Sequence, residues 1–399
     1  MRNSNLTTPS RRLLMGPGPS DVHPRVLSAM ARPTVGHLDP DFVALMDDIK
    51  ALLRRAFQTE NELTIPLSAP GSAGMECCFV NLLEPGDTAV ICSNGVFGGR
   101  MKENAERCGA RTVMVEAPWG EAVDPDAVKT ALKANPEAKV VAFVHAETST
   151  GVQSDAAAIC RIAADAGALS IVDAVTSLGG IPVAVDAWGA DAVYSGTQKC
   201  LSCPPGLSPM TFSARAADAI KSRRTKVQSW FLDLSLVMGY WGGPAGGGRS
   251  YHHTAPVNAL YGLHEALLML EEEGLDAAWT RHAVMHRALV SGFEAMGLAM
   301  KVTADIRLPQ LNAVEIPDGI DEAMVRRHLL ANFNLEIGAG LGPWAGKVWR
   351  IGLMGQSATK AHVLTCLAAL ESTLLSAGGA VHAGRAQAAA QAVLDRENT

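Results

Sequence analysis

The 399-residue sequence has no excess of basic charge. Thirty-four Lys and Arg stand against 40 Asp and Glu, for a formal net charge of -6. That balance removes the electrostatic footprint of a nucleic-acid-binding protein. No apolar run approaches the roughly 18 residues needed to cross a bilayer, so no membrane span is expected. The opening stretch MRNSNLTTPSRRLLMGPGPS has no acidic residue and no apolar core of a secretory leader. Its Ser, Thr and Arg content is also that of a transit peptide, but the terminal RENT matches no retention or peroxisomal address, and a cytoplasmic protein is expected. There is no internal repeat. MGPGPS is too proline-rich, and follows too little strand, to be the G-x-G-x-x-G turn of a nicotinamide-binding fold. Of the eight cysteines, only Cys200 and Cys203 form a C-x-x-C, and no second pair stands at zinc-ligand spacing. Neither disulfides nor a metal site are expected, and a thioredoxin-like role is awkward because Pro204-Pro205-Gly206 follows at once. The pair reads as passive packing beside a loop.

What is present is a chain that is 48% hydrophobic and 19% charged, an ordinary globular α/β composition. Between Asp41 and Phe57, apolar residues at Phe42, Leu45, Met46, Ile49, Leu52, Leu53 and Phe57 define one helical face. LTIPLSAPGSAGMECCFVNLL then reads as a strand, a Gly/Ser turn and a helix beginning near Ser72. GDTAVICSNGVFG, KVVAFVHAETSTG, ALSIVDAVTSLGG and ADAVYSGTQK are short apolar runs ending in polar residues, with helical stretches such as 155–166 between them. Uninterrupted apolar strands alternating with helices predict a mostly parallel sheet covered on both faces. A Gly-rich loop over 238–254 precedes a long helix from about Asn258 to Glu273. Beyond Gly297, LNAVEIP, DEAMVRRHLLANF and KVWRIGLMG predict a smaller α+β domain, and the Ala-rich tail from Ser376 predicts helix. The expected division is an N-terminal arm over 1–22, a large domain over 23–275 and a small domain over 276–399.

In such sheets ligands bind at the carboxyl ends of the strands. APGSAG, NGVFGG, ETSTG, IVDAVTS and SGTQK all collect there. The amides of Gly71, Ser72 and Ala73 open a helix and suit a phosphate. Phe97 offers a flat face for a ring. Asp173 ends a nearly uncharged strand and needs a cation or hydrogen bonds. Lys199 ends the next one. Taken singly, the Asp reads as a cap, the Gly/Ser turn as a turn, Phe97 as core and the lysine as surface. Together and in this order, they match a phosphorylated heteroaromatic aldehyde with a protonated ring nitrogen. Pyridoxal 5'-phosphate is such a molecule, with Lys199 as its Schiff-base partner and Asp173 on the ring nitrogen.

From LLMGPGPS at 13–20 to KVWRIGLMG at 347–355, the chain resembles the class V aminotransferases of fold type I, and most of all the alanine–glyoxylate and serine–glyoxylate enzymes. YSGTQK, PPG, YHHT and RIG occur in that family's order and spacing. The resemblance implies that Lys199 shuttles the proton, Asp173 holds the ring N–H and Thr148 bonds the ring hydroxyl. It implies that Phe97 stacks on the ring, where eukaryotic relatives carry tryptophan, and that Gly71, Ser72, Ala73 and Gln198 hold the phosphate. Arg350 would grip the substrate carboxylate as a bidentate fork, and Gly18 would lie beside the substrate. Tyr251 and Thr254 would reach the phosphate of a neighbouring subunit, making the enzyme a homodimer with shared sites. Pro70, where relatives often carry a hydroxyl, lacks a donor. His252-His253 reads as part of that phosphate loop rather than as a metal pair.

Within the family, a cysteine desulfurase is disfavoured: Gln198 replaces the expected histidine, and no cysteine falls between Cys203 and Cys366. Alanine or serine is the expected donor, and glyoxylate or pyruvate the acceptor, in a ping-pong exchange. Ureidoglycine–glyoxylate and pyridoxamine–pyruvate exchange are the alternatives, with His37 and Asn258 near the substrate entrance. The alternative of another class is a module that binds the cofactor without catalysis.

Overall fold

The computed structural model describes residues 10–242 and 249–397. Its centre is a seven-stranded sheet, with β1 Leu63–Leu67, β2 Thr88–Ser93, β3 Arg111–Glu116, β4 Ala138–Val144, β5 Leu169–Asp173, β6 Ala192–Tyr194 and β7 Ser208–Phe212. The spatial order is β1-β7-β6-β5-β4-β2-β3. Strands β3, β2, β4, β5 and β6 run parallel, whereas β7 is antiparallel to both β1 and β6. Every residue of β1, β5, β6 and β7 is buried, as two covered faces require. Only the edge strand β3 is largely open.

Strand β7 was not legible in the sequence, because Pro209 sits inside it and proline speaks against an interior strand. Pro209 lies opposite Pro66 of β1. Neither proline has an N–H, so this is a non-hydrogen-bonded pair, and the ladder between these strands loses no bond there.

Three helices pack against the sheet. α1, Pro40–Phe57, starts where the Asp39 side chain accepts the Asp41 amide, and it buries Phe42, Met46, Ile49, Leu52, Leu53 and Phe57, six of the seven residues on the predicted face. α2, Gly71–Leu82, follows β1, and α3, Val96–Arg107, follows β2; neither has a side-chain cap from its own preceding residue. One buried cluster runs from Val26 to Leu267 around the sheet. A second gathers residues between Ala288 and Leu394 behind an antiparallel sheet of β8 Leu311–Glu315, β9 Gly338–Ala339 and β10 Val348–Gly352. Met15 also belongs to that second core. Leu13–Leu14 pairs in parallel with Leu335–Glu336, so residues 13–20 form a strap that crosses from the second core to the sheet.

The Ala-rich tail is helical only over Ala386–Arg396. Gly378 and Gly384, at φ 76° and 77°, adopt left-handed conformations that break the run before it. The first nine residues of the expected arm and residues 243–248 of the Gly-rich loop lie outside the described residues. No helix among the described residues is long and apolar enough to cross a membrane.

Candidate active site

A cavity of about 170 Å³ opens where Val144, Asp173 and Tyr194 end β4, β5 and β6. Gly71 and Ser72 from the start of α2, Phe97 from α3, and Thr148, Gln198 and Lys199 from the loops complete its wall. A larger cavity, about 560 Å³, lies beside Leu63 and Phe212 and contains none of the residues predicted from the sequence. Volume does not decide between the two. The smaller one collects the buried titratable groups, and such groups mark functional sites.

Asp173 is 3% exposed. Its Oδ1 accepts the Val175 amide at 2.8 Å and its Oδ2 accepts the Tyr194 hydroxyl at 2.6 Å. Tyr194 is its direct partner in the β5–β6 ladder, which explains the contact. Burial pushes the carboxyl up to about 6, with the two hydrogen bonds pulling the other way. Lys199 is 8% exposed, and burial, reinforced by the nearby Arg350 charge, lowers its amine to about 8. Its Nζ donates to the Pro17 carbonyl on the strap. The strap is tied down again where the Ser20 hydroxyl donates to the Lys199 carbonyl at 2.7 Å and meets Ser202 Oγ at 3.1 Å. A Cβ at Gly18, whose φ is 102°, would lie 2.7 Å from Lys199 Nζ, so glycine is what lets the strap approach the amine.

After Lys199 the chain turns at once. The Ser202 amide bonds the Lys199 carbonyl at 3.0 Å, and Ser202 has φ 50°. Cys200 and Cys203 are buried in this turn, their thiols pushed up to about 12 by burial, which agrees with passive packing.

The phosphate turn shows an asymmetry. The Ala73 amide already donates to the Pro70 carbonyl at 2.8 Å, whereas those of Gly71 and Ser72 have no acceptor among the described residues. Gly71 and Ser72 line the cavity and Ala73 does not. One end of the Gln198 side-chain amide is buried without a partner. Thr148 lines the cavity, but its hydroxyl is engaged by Thr176 at 2.6 Å.

Arg350, on β10, stands just behind the wall. Its Nη1 donates to the Thr148 carbonyl at 3.0 Å and its Nε to the Ala339 carbonyl at 2.7 Å. It is 7% exposed and, among the described residues, has no carboxylate within salt-bridge distance. Burial lowers its guanidinium to about 10. Tyr251 and Thr254 are exposed and do not line this cavity. Asn258 is committed to the fold: its side chain donates to the Met30 and Arg32 carbonyls and accepts from Thr34. His37 packs against Tyr240 and Tyr251, with ring centroids at 6.2 and 5.4 Å.

Four residues went unread in the sequence. Tyr194 and Glu147 lie inside quoted motifs, but nothing in the linear order says that a tyrosine will pair with Asp173 across strands. Met75 and Arg100 sit one helical turn after Gly71 and Phe97, and both line the cavity. That spacing was the available signal.

The family model for class V aminotransferases matches residues 18–342. The chain is 41% identical to the (S)-ureidoglycine–glyoxylate transaminase of Bacillus subtilis, across 96% of this chain and 95% of that one. Among solved structures, an alanine–glyoxylate aminotransferase from Nostoc sp. superposes with a TM-score of 0.90 at 47% identity, covering 94% of this chain and 98% of the other. The pyridoxamine–pyruvate aminotransferase of Mesorhizobium loti superposes with a TM-score of 0.91 at 31% identity over 100% of both. The chain belongs to the class V aminotransferase family. It is an enzyme with the fold-type I architecture, and membership implies pyridoxal phosphate as cofactor.

Proposed function

We propose that this aminotransferase binds pyridoxal phosphate in the 170 Å³ cavity and moves the amino group of a small amino acid, alanine or serine, to glyoxylate by a ping-pong route. The observation that carries the reading is the buried pair of Asp173 and Lys199 lining one cavity, facing the free amides of α2. The donor set fits the cofactor. Gly71 and Ser72 amides, with Gln198, suit the phosphate; Asp173 suits a protonated ring nitrogen; Phe97 offers a face. The bound cofactor supplies an electron-withdrawing ring that lets an amino acid lose its α-proton.

The chain supplies the rest. Lys199, with its amine lowered to about 8, has a usable neutral fraction near neutral pH and can attach a carbonyl or carry a proton at Nζ. Asp173, buried between Tyr194 and the Val175 amide, holds positive charge on the ring nitrogen. Thr148 contributes the wall beside the ring. Arg350 has an uncompensated guanidinium for a carboxylate, and amino acid and keto acid both carry one. A single cavity with a single fork favours taking the two in turn, which is the ping-pong order.

Exposed aromatics support a homodimer. Trp230 is 62% exposed and stacks on His252 at 4.4 Å, and Tyr251 is 65% exposed. A second copy covering this face would bring Tyr251 and Thr254 to its neighbour's phosphate. We also place the chain in the cytoplasm, in keeping with eight free, buried cysteines. We divide the chain into domains over 23–275 and 276–399, a reading supported by the break at Gly274 between the helices Val257–Glu273 and Leu275–Met296.

The similarity to the Bacillus enzyme favours a second reading in which ureidoglycine is the donor. The deciding experiment records the visible spectrum of the purified protein with L-alanine, L-serine, ureidoglycine or pyridoxamine added separately. The true donor bleaches the cofactor colour, and glyoxylate restores it. Lys199→Ala abolishes this cycle with the fold kept. Turnover by that variant at the wild-type rate would remove Lys199 from its role. A colourless protein that takes up no pyridoxal phosphate would refute the whole assignment.

A further inference from the structure

Glu147 is fully buried, yet the chemistry above gives it no task. It has no salt-bridge partner among the described residues. Three donors converge on its carboxyl group. Oε1 accepts the Ser149 amide at 2.9 Å and the Ser149 hydroxyl at 2.6 Å, and Oε2 accepts the Phe97 amide at 3.3 Å. Ser149 Oγ in turn accepts the Val96 amide at 3.0 Å. Two of the otherwise unpartnered amides at the start of α3 are therefore satisfied from a different strand end. The residue that would normally cap the helix is Gly95, which has no side chain to do so.

The sequence leaves room for this arrangement. A Cβ on Gly95 would lie 2.4 Å from Ser149 Oγ and 2.5 Å from the Glu147 carboxyl carbon. Glycine there is what allows the NGVF turn to close on the ETS loop. The anchored turn carries Phe97 into the cavity, and Arg100 follows one turn on with its guanidinium 4.7 Å from the Phe97 ring centroid. A carboxylate also complements the positive end of the helix dipole.

We propose that Glu147 is a positioning residue: with Ser149 it caps α3 from outside the helix and so fixes the Phe97 ring against the cofactor face. This rests on the pyridoxal phosphate reading. Glu147 touches no reacting atom and acts through Phe97.

The test is a double-mutant cycle on the dissociation constant of pyridoxal phosphate, measured by equilibrium dialysis with wild type, Glu147→Gln, Phe97→Ala and the double variant. Glutamine keeps the shape but turns an N–H toward one of three donors. Loss of one such bond corresponds to roughly a tenfold weaker Kd. In the Phe97→Ala background the same change adds less than about twofold. The circular dichroism of the cofactor band, recorded at saturation, also changes in Glu147→Gln, since a tilted ring alters it without altering the amount bound. An equal penalty in both backgrounds, or a wild-type Kd and band in Glu147→Gln, overturns the proposal. If Glu147→Gln does not fold, Ser149→Ala, which removes the acceptor for the Val96 amide and the hydroxyl donor to Glu147 Oε1, goes through the same cycle with the same expectation. Failure of the wild-type chain to bind pyridoxal phosphate would overturn the cofactor reading and this one together, whereas a wild-type Kd in the variants overturns this one alone.

Discussion

Replacing Asp173 with asparagine separates what the carboxylate costs the cofactor-free chain from what it does in the site. Burial raises its pKa from 3.8 to about 6. A rise of about 2 pH units corresponds to about 3 kcal/mol. The sign follows from counting protons. Between pH 3.8 and about 6 the folded chain holds a proton that the unfolded chain has released. The stability tied to this group is therefore complete below 3.8 and is lost as pH rises through 6. Asparagine carries no such charge. Its oxygen can still accept the Val175 amide, and the Tyr194 hydroxyl can turn to accept from its NH₂. Asp173→Asn should then stabilise the cofactor-free chain by up to about 3 kcal/mol at pH 8 and by little near pH 4. The same change should weaken cofactor binding and remove most of the turnover, because a neutral amide no longer holds a ring cation. Urea unfolding of dialysed protein at pH 4, 6 and 8, for both chains, reads the difference. A variant less stable than wild type at pH 8, or a gap that does not change from pH 4 to 8, would refute the reasoning.

Arg350→Lys replaces a fork with a point charge, and should raise the KM for the amino donor roughly 10- to 100-fold while leaving cofactor affinity alone. An unchanged KM for alanine would move the carboxylate site elsewhere. Gly18→Ala forces a side chain into φ 102° and against Lys199 Nζ, and should lower both the melting temperature and kcat. Wild-type values for both would show that the strap is free to move. The rate of cofactor uptake by the cofactor-free chain should rise with pH around a midpoint near 8, since only the neutral Lys199 amine attacks an aldehyde. A profile still climbing at pH 10 would mean that burial does not depress this amine. Iodoacetamide at pH 7.5 should leave activity intact, because Cys200 and Cys203 are buried and their thiols lie near 12. Rapid inactivation traced to either cysteine would overturn their reading as packing.

The sequence carried β1, β2, β4, β5 and β6 because each is an apolar run closed by polar residues, and the polar ends fall on one edge of the sheet; the half-exposed edge strand β3 was not read. Nor did it carry β7, hidden by Pro209, which lies opposite Pro66 of β1. Asp173 and Lys199, proposed to act through their own side chains, were legible as charges at the ends of uncharged runs. Those that act through a cross-strand or loop-to-helix contact were not. Tyr194 is defined by its register against Asp173, and Glu147 by the approach of Gly95. Ala73 makes the ordinary first bond of its helix, its amide to the Pro70 carbonyl, and does not line the cavity.

The strap links the two cores at the proposed site. Met15 belongs to the second core, the Gly352 amide at the end of β10 donates to its carbonyl at 2.7 Å, and five residues later Ser20 holds the Lys199 carbonyl. Arg350 lies two residues before that anchor, on the same strand. The amine and the guanidinium therefore belong to separate cores, yet both are referenced to one short piece of backbone. Any shift of the second core that carries Arg350 must also pull residues 15–20, and with them the partners of Lys199. A strap this short leaves little slack, so the separation of Lys199 and Arg350 is set by the strap as much as by the packing of the cores.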